Sequence, residues 1–372
     1  MNDTYFLKEA LKLAKKGLSW TNPNPMVGAV IVKNGKTLSR GYHKEVGLPH
    51  AEIEAITSAK QSVKGATLYI NLEPCCRSGR TPACTQAIIK SGIKKVVCST
   101  LDPNPKVNGK GIKILKKAGL QVSVGLLEKE ARFLNEPYFT FHQKKRPFIA
   151  LKFALSLDGK IATKTGQSKW ISNEKARNYA RKLRANYQAV LVGINTILKD
   201  NPHLGPREKN KKEPLRLILD PKLKIPLNPV RKRFSNGVNS QVLRDNNVLF
   251  ITTSFAKKEK LKQLKKRGIA IISYRSETIS LPRLLDDLRK REIISILVEG
   301  GGETIGHFID EKLFDKIYAF YSPIIIGGKE AVSAVSGKGI ENLKSAIRLT
   351  NLSFKHFGDN FLMIGYPETK EN

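Results

Sequence analysis

The stretch Glu73–Cys84, EPCCRSGRTPAC, holds three of the four cysteines in a chain of 372 residues. Upstream of it lies His50-Ala51-Glu52. Three readings compete: a disulfide, a closed structural metal clip, or part of a reaction centre. The disulfide is the weakest, because the chain is expected in the reducing cytosol. Near its N-terminus, Phe6, Leu7, Ala10, Leu11, Ala14 and Leu18 recur at helical spacing beside Asp3 and Glu9. That pattern predicts an amphipathic surface helix, not a secretion signal. The longest clean apolar run, Met26–Val32, falls far short of the ~20 residues that span a bilayer. A cytoplasmic protein with no membrane partner is the expectation.

Zinc takes thiolate sulfur and imidazole nitrogen in a tetrahedron. The periodicity places His50 just before a helix, Cys75 after a strand end, and Cys84 in the first turn of the next helix. Such edges of an α/β sheet converge on a crevice. Helix N-termini also favour thiolates. His50, Cys75 and Cys84 as ligands to one zinc leave a fourth position for water, whose pKa falls to ~7 there. Glu52, two residues beyond His50, can sit beside the metal without ligating it and relay a proton to a leaving amine. Zinc deaminases share this H-x-E with a later P-C. Nucleic-acid members of that class space their cysteines as C-x-x-C; here the spacing is much wider. A closed clip would recruit Cys76 as well. Adjacent residues of an extended chain point opposite ways, however, and a clip has no use for Glu52. Cys98, within an apolar strand, reads as a packed core thiol.

The formal net charge is +34, and 40% of residues are hydrophobic. The hydrophobic fraction supports packed cores rather than a disordered chain. The charge raises a nucleic-acid reading. Yet residues 1–146 carry 25 Lys and Arg against 10 Asp and Glu, and the remainder carries 41 against 22. The excess is spread over both halves, without an arginine block or an aromatic-interleaved stripe. A lysine-rich surface also attracts small phosphorylated molecules.

Length predicts two domains. In the first, helix 4–17 precedes two strands joined at Asn34-Gly35, a hairpin signal. Helices and strands then alternate, ending in a helix over 128–142. The polar stretch HQKKRP closes this domain, giving boundaries of 1–146 and 147–372. The second domain alternates again from FIALKFALSLDGKIA onward. Both are α/β with mostly parallel sheets. Residues 206–247 break the pattern with charged and Asn/Ser-rich loops. Within the second domain, VEGGGETIG at Val298–Gly306 sits between a strand and a helix, where backbone N–H groups can meet a phosphate. It does not match G-x-G-x-x-G. LVGINTILKDNPHLGPR offers Asp200, Asn201 and Arg207 in a loop after a strand. SLDGKIAT and SKWIS add Asp158, Lys160, Ser168, Lys169 and Trp170. Taken alone, Trp170 reads as core, and Lys152 and Arg184 as surface charges.

NPNPMVGAVIV, HAEIEAI, LEPCCRSGRTPAC and DPNP, in this order, resemble the deaminase half of the bifunctional riboflavin-biosynthesis RibD family, which has a cytidine-deaminase-like fold. The downstream clusters, also in order, resemble the reductase half of that family, which is dihydrofolate-reductase-like and uses NADPH. The resemblance implies zinc on His50, Cys75 and Cys84, with Glu52 as proton shuttle. Asn24, His43, Arg80, Asp102 and Asn104 would shape the first substrate pocket. Ala154, Trp170, Thr196, Asp200 and the run Gly301, Gly302, Glu303, Thr304, Ile305, Gly306 and His307 would face NADPH. Ser168, Arg184, Leu204, Arg207 and Glu299 would face the phosphorylated substrate. Lys152 would bind charge with Arg184, and Asp200 would assist proton transfer. Two departures stand out. Arg77 replaces the family's histidine two places after the first zinc cysteine. Gly205 replaces the threonine of an L-T-x-R signature.

The implied reactions are deamination of a 2,5-diamino-6-(5-phosphoribosylamino)pyrimidinone to the uracil, then NADPH reduction of its ribosyl group to ribityl. The expected partner is that phosphorylated pyrimidine, with no nucleic acid, and self-association as a homo-oligomer. Two alternatives remain open at this stage. One is a nucleic-acid base deaminase with an accessory domain; the other is a non-catalytic zinc-clipped binding module.

Overall fold

The computed structural model describes residues 2–77, 82–208, 210–227 and 240–368. The chain divides into two compact units, Met1–Pro147 and Phe148–Asn372.

The first unit runs α1 (Asp3–Ala14), β1 (Gly28–Lys33), β2 (Lys36–Tyr42), α2 (Ala51–Thr57), β3 (Thr67–Ile70), α3 (Cys84–Lys90), β4 (Lys95–Cys98), α4 (Lys110–Lys117), β5 (Gln121–Val124), α5 (Glu128–Leu134) and α6 (Glu136–Gln143). Its sheet has the order β2-β1-β3-β4-β5. The β1–β2 hairpin turns at Asn34-Gly35, both at positive φ, as the sequence predicts. Strand β1 is antiparallel to β3, and β3, β4 and β5 are parallel. Successive β1 residues serve opposite faces. Ala29 and Ile31 pack with Ala51 and Ala55 of α2, Ile88 of α3 and Leu115 of α4. Val30 and Val32 pack with Phe6, Leu7 and Ala10 of α1. Helix α2 lies so close to β2 that a Cβ on Gly41 would stand 2.3 Å from the Ala51 carbonyl oxygen. That close approach fixes the start of α2, where His50 and Glu52 sit. The helix predicted over 128–142 is two helices. Asn135 caps the second, and Pro137 lies in its first turn, where the missing N–H costs nothing.

The second unit runs β6 (Phe148–Ser156), β7 (Lys160–Ala162), α7 (Glu174–Leu183), β8 (Ala189–Gly193), α8 (Ile194–Asp200), β9 (Leu215–Leu219), β10 (Val248–Thr252), α9 (Lys258–Lys266), β11 (Ala270–Ser273), α10 (Leu281–Lys290), β12 (Ser295–Val298), α11 (Gly302–Asp310), β13 (Lys316–Ser322), β14 (Val332–Ser333), β15 (Leu349–Phe357) and β16 (Asn360–Pro367). Nine strands form one sheet, β11-β10-β9-β8-β12-β6-β13-β16-β15. It is parallel from β11 to β13 and antiparallel at the β13–β16–β15 edge. Its central strands are apolar on both faces, as a covered parallel sheet requires. Phe148 and Ala150 join α7 to α9 in one core. Ile149 and Leu151 join α10 and α11 in the other. A separate ribbon pairs β7 with β14. One feature departs from the sequence reading: Asp200 closes the short helix α8 rather than lying in a loop. The C-terminal residues, which the sequence reading left unassigned, form the β15–β16 hairpin.

Candidate active sites

In the first unit, His50 is the N-cap of α2 and Cys84 opens α3. Cys75 follows β3 on the connecting loop. The Nδ1 atom of His50 stands 3.3 Å from Cys84 Sγ and 3.6 Å from Cys75 Sγ. The three ligand atoms lie within 4.8 Å of one another. Zinc bonds of about 2.3 Å to sulfur and 2.0 Å to nitrogen place tetrahedral N···S pairs about 3.5 Å apart, so the set fits that ion. The Cys84 amide donates to Cys75 Sγ at 3.3 Å. Contact with the Cys84 thiol, against the effect of burial, and then with His50, lowers the pKa of Cys75, and the same contact raises that of Cys84. Cys76 is outside this group, its Sγ 4.0 Å from the Lys106 carbonyl. Cys98 is fully buried, as predicted for a packed thiol.

Glu52 is 3% exposed. Burial first, and then the Cys75 charge, push its carboxyl up to about 7. It lies against the Cys84 thiol in the first turn of α2, which His50 caps. His43 is buried and bonded at both ring nitrogens: Nδ1 to the Pro49 carbonyl at 3.2 Å and Nε2 to Asn24 Nδ2 at 3.2 Å. Nδ1 therefore carries the hydrogen, and Nε2 accepts from the Asn24 amide. Burial lowers its pKa and keeps the ring neutral.

The loop bearing Asn24 is pinned by two asparagines. Asn71 receives the Gly28 amide and Asn135 the Met26 amide, and both donate to the Met26 carbonyl. Asp102 is buried and accepts from the Asn104 amide at 2.8 Å and from Tyr138 Oη at 3.1 Å. Burial raises its carboxyl to about 6. Beneath it, the Glu73 carboxylate accepts three backbone amides, those of Asp102, Gly109 and Ile112. It ties the Asp102 loop and the start of α4 to the cysteine loop.

The second unit contains a cavity of about 510 Å³. Near its floor, Arg184 grips Glu299 through Nε at 2.6 Å and a terminal nitrogen at 2.8 Å. Lys152 Nζ stands 3.9 Å from the same carboxylate. Burial would raise Glu299, but Arg184 and then Lys152 outweigh it and hold the carboxyl at about 2. Burial lowers Lys152, against the pull of Glu299. Ser168 Oγ donates to Asp200 at 3.4 Å. Trp170 is 66% exposed, with the Arg177 guanidinium over its ring at 4.3 Å. Gly301 and Gly302 at the start of α11 line the cavity, Gly301 exposed and Gly302 packed under the Ser333 carbonyl.

Residues 147–363 match the family described as the RibD C-terminal domain, and residues 1–100 match the cytidine and deoxycytidylate deaminase zinc-binding region. A riboflavin biosynthesis protein RibD of Aquifex aeolicus is 43% identical over 362 residues, covering 97% of each chain. The chain belongs to the RibD family. RibD of Acinetobacter baumannii superposes with a TM-score of 0.88 at 33% identity, covering 99% of each chain. A Thermotoga maritima structure described as a diaminohydroxyphosphoribosylaminopyrimidine deaminase and 5-amino-6-(5-phosphoribosylamino)uracil reductase superposes with a TM-score of 0.83 at 38% identity, covering 98% of each chain. This RibD chain thus joins a deaminase domain to a reductase domain of riboflavin biosynthesis. A nucleic-acid deaminase with an accessory domain would leave the reductase match without a role.

Of the RibD-type residues named from the sequence, Lys152, Ala154, Ser168, Trp170, Arg184, Thr196, Asp200, Leu204, Arg207, Glu299, Gly301, Gly302 and Ile305 line the cavity. Glu303, Thr304, Gly306 and His307 are not among its lining residues. Glu303 and His307 are exposed on α11, and Gly306 packs against the Ser336 carbonyl. Arg80 lies outside the described residues. Arg77 is exposed. The sequence reading missed Tyr138 and Gln241. Tyr138 sits in a helix that reads only as amphipathic. Gln241 lines the cavity from the irregular 206–247 region and bonds Asn201 twice, at 2.7 Å each.

Proposed function

We propose that the first unit deaminates 2,5-diamino-6-(5-phosphoribosylamino)pyrimidin-4(3H)-one to 5-amino-6-(5-phosphoribosylamino)uracil, and that the second reduces the ribosyl group of that product to ribityl with NADPH. The observation that carries the reading is the set His50, Cys75 and Cys84 with buried Glu52 beside it, in a chain that also holds a cationic cavity around Glu299.

Zinc held by the three ligands supplies a bound water acidified to a pKa of ~7. Glu52, buried beside the three ligands, would accept a proton from the attacking water and return it to the leaving amine, so that water enters and ammonia departs. Asn24, His43, Asp102 and Asn104 orient the pyrimidine, with Tyr138 fixing Asp102. The neutral ring of His43 and the donors around it suit a base edge rather than a charge.

In the second unit, bound NADPH would supply the hydride for reduction at the sugar C1′ of the opened ribosylamine. Ala154, Trp170, Thr196, Gly301, Gly302 and Ile305 form its side of the cavity. Glu303, Thr304, Gly306 and His307 support that helix end from outside the cavity. Lys152, Ser168, Arg184, Leu204, Arg207 and Glu299 form the substrate side. Asp200 moves the proton that accompanies the hydride. The cationic lining attracts both phosphorylated ligands. No described helix is long and apolar enough to cross a membrane. A cytoplasmic homo-oligomer acting on a small phosphorylated pyrimidine completes the proposal.

The test is a coupled assay on zinc-analysed protein given the diaminopyrimidine ribosyl phosphate with or without NADPH. Ammonia release without NADPH, followed by NADPH oxidation only after deamination, is the expected order. NADPH oxidation before any ammonia appears would overturn it.

A further inference from the structure

Asp158 and Lys160 belong to the SLDGKIA motif, yet neither lines the cavity. Both hold one segment that does. The Asp158 carboxylate accepts the Ile326 amide at 3.0 Å through Oδ1 and the Gly327 amide at 2.7 Å through Oδ2. Ser156 Oγ donates to Oδ1 at 2.6 Å and fixes the rotamer. Gly327 and Gly328 follow at φ of 66° and 80°, with open space where a Cβ would stand. After this turn the chain returns as β14, antiparallel to β7, with Val332 opposite Ala162 and Ser333 opposite Lys160. Lys160 Nζ donates to Ser333 Oγ at 3.3 Å. Val332 and Ala334 then line the cavity, facing the start of α11.

The segment seats directly on that helix. A Cβ on Gly302 would stand 2.4 Å from the Ser333 carbonyl oxygen, and one on Gly306 would stand 1.8 Å from that of Ser336. The far end is held separately, by Asp310 accepting the Lys338 amide at 2.9 Å. One end of the wall is therefore anchored on α11 and the other on Asp158.

We propose that Asp158 is a positioning residue for the cofactor side of the cavity: its carboxylate clasps the Ile326–Gly327 turn and so sets where Val332 and Ala334 stand beside the dinucleotide. This rests on the reading that the cavity takes NADPH. Two paired amides and a rotamer-locking serine make a stiff joint next to two glycines that would otherwise let the turn swing. Lys160 steadies the same segment from β7, paired with Ser333 across the ribbon and bonded to its hydroxyl, and the Gly159 carbonyl accepts the Ala334 amide at 3.0 Å, whereas the Ile326–Gly327 turn has Asp158 as its side-chain hold.

The experiment uses the full chain and the variants Asp158→Ala and Asp158→Asn, with two readouts. The first is the dissociation constant of NADPH from nicotinamide fluorescence, beside KM and kcat for reduction. Asp158→Ala should raise the dissociation constant and KM about fivefold while kcat changes little. Asp158→Asn keeps one acceptor and should fall between. Ammonia release by the first unit should be unchanged, which reports a folded chain. The second readout is amide exchange without cofactor. Peptides covering 326–332 should exchange about tenfold faster in Asp158→Ala, while those covering 336–338, held by Asp310, stay protected. Unchanged exchange at 326–332, or unchanged NADPH affinity with faster exchange, would overturn the proposal. Should the unaltered protein bind no NADPH, the cofactor reading fails by itself, and the positioning role built on it is overturned with it.

Discussion

Arg184 engages both carboxylate oxygens of Glu299, and the pair is half-buried in the cavity wall, with side-chain exposures of 14% and 6%. Lys152 Nζ stands 3.9 Å from the same carboxylate, so two cations share one anion. The excess positive charge is left to face the cavity. A phosphorylated ligand would complete the balance.

Arg184→Ala should therefore be costly. It leaves Glu299 with Lys152 alone, and the ~3–5 kcal/mol that breaking a fully buried pair costs is an upper bound for this half-buried one. Calorimetry of the full chain should show the second unit melting earlier. Reduction should be lost, while ammonia release stays within about twofold of the unaltered protein.

The pH dependence of that pair has a definite sign. The folded value for Glu299, about 2, lies below the ~4.3 of an unfolded glutamate. A depressed folded value gives stabilisation that is complete above the unfolded value and lost as pH falls through the folded one. Acid unfolding of the second unit should show this contribution intact above about pH 5 and fading between about 4 and 2. A Glu299→Gln chain should lack that slope.

Glu52→Gln should retain zinc and fold but lose deamination by about 10²–10⁴-fold, the range for a general acid–base group. Reduction of supplied 5-amino-6-(5-phosphoribosylamino)uracil should continue at the normal rate. Substantial ammonia release by this variant would remove Glu52 from the proton path.

Metal content separates the cysteines. Cys75→Ser and Cys84→Ser should lose zinc, whereas Cys76→Ser should hold about one ion per chain, since Cys76 Sγ faces the Lys106 carbonyl. Loss of zinc from the Cys76 variant would mean a closed four-ligand clip.

Glu73→Ala should strand the amides of Asp102, Gly109 and Ile112 around a buried gap. A cost of about 3 kcal/mol follows, with thermal unfolding of the first unit as the measurement. Glu73→Gln retains acceptors and should recover part of it.

The clustering of His50, Cys75 and Cys84 was legible in the sequence because zinc demands particular donor types, and helix starts after strand ends bring such donors together. Glu52 was legible for the same reason, two residues along one helix turn from His50. The α/β alternation was legible because buried strands such as AVLVG are unbroken apolar runs. Helix α8 was not. INTILKD carries two isoleucines and a threonine, is too short to show a helical period, and reads as part of the loop after the strand. Strand β15 escaped for the opposite reason: LTNLSFKHF exposes most of its residues and shows no buried face to reveal its period. Trp170 reads alone as a core residue, but it stands exposed with Arg177 stacked on it. Gln241 had no signal at all, because its role comes from the fold bringing an irregular segment back against Asn201.

Among the described residues, each sheet is built wholly from strands on its own side of Pro147. One translation event therefore delivers both centres in equal number. Gene dosage cannot raise one step relative to the other; only the turnover of each centre can. The separate cores leave room for that adjustment, because substitutions that retune one half need not pass through the packing of its neighbour.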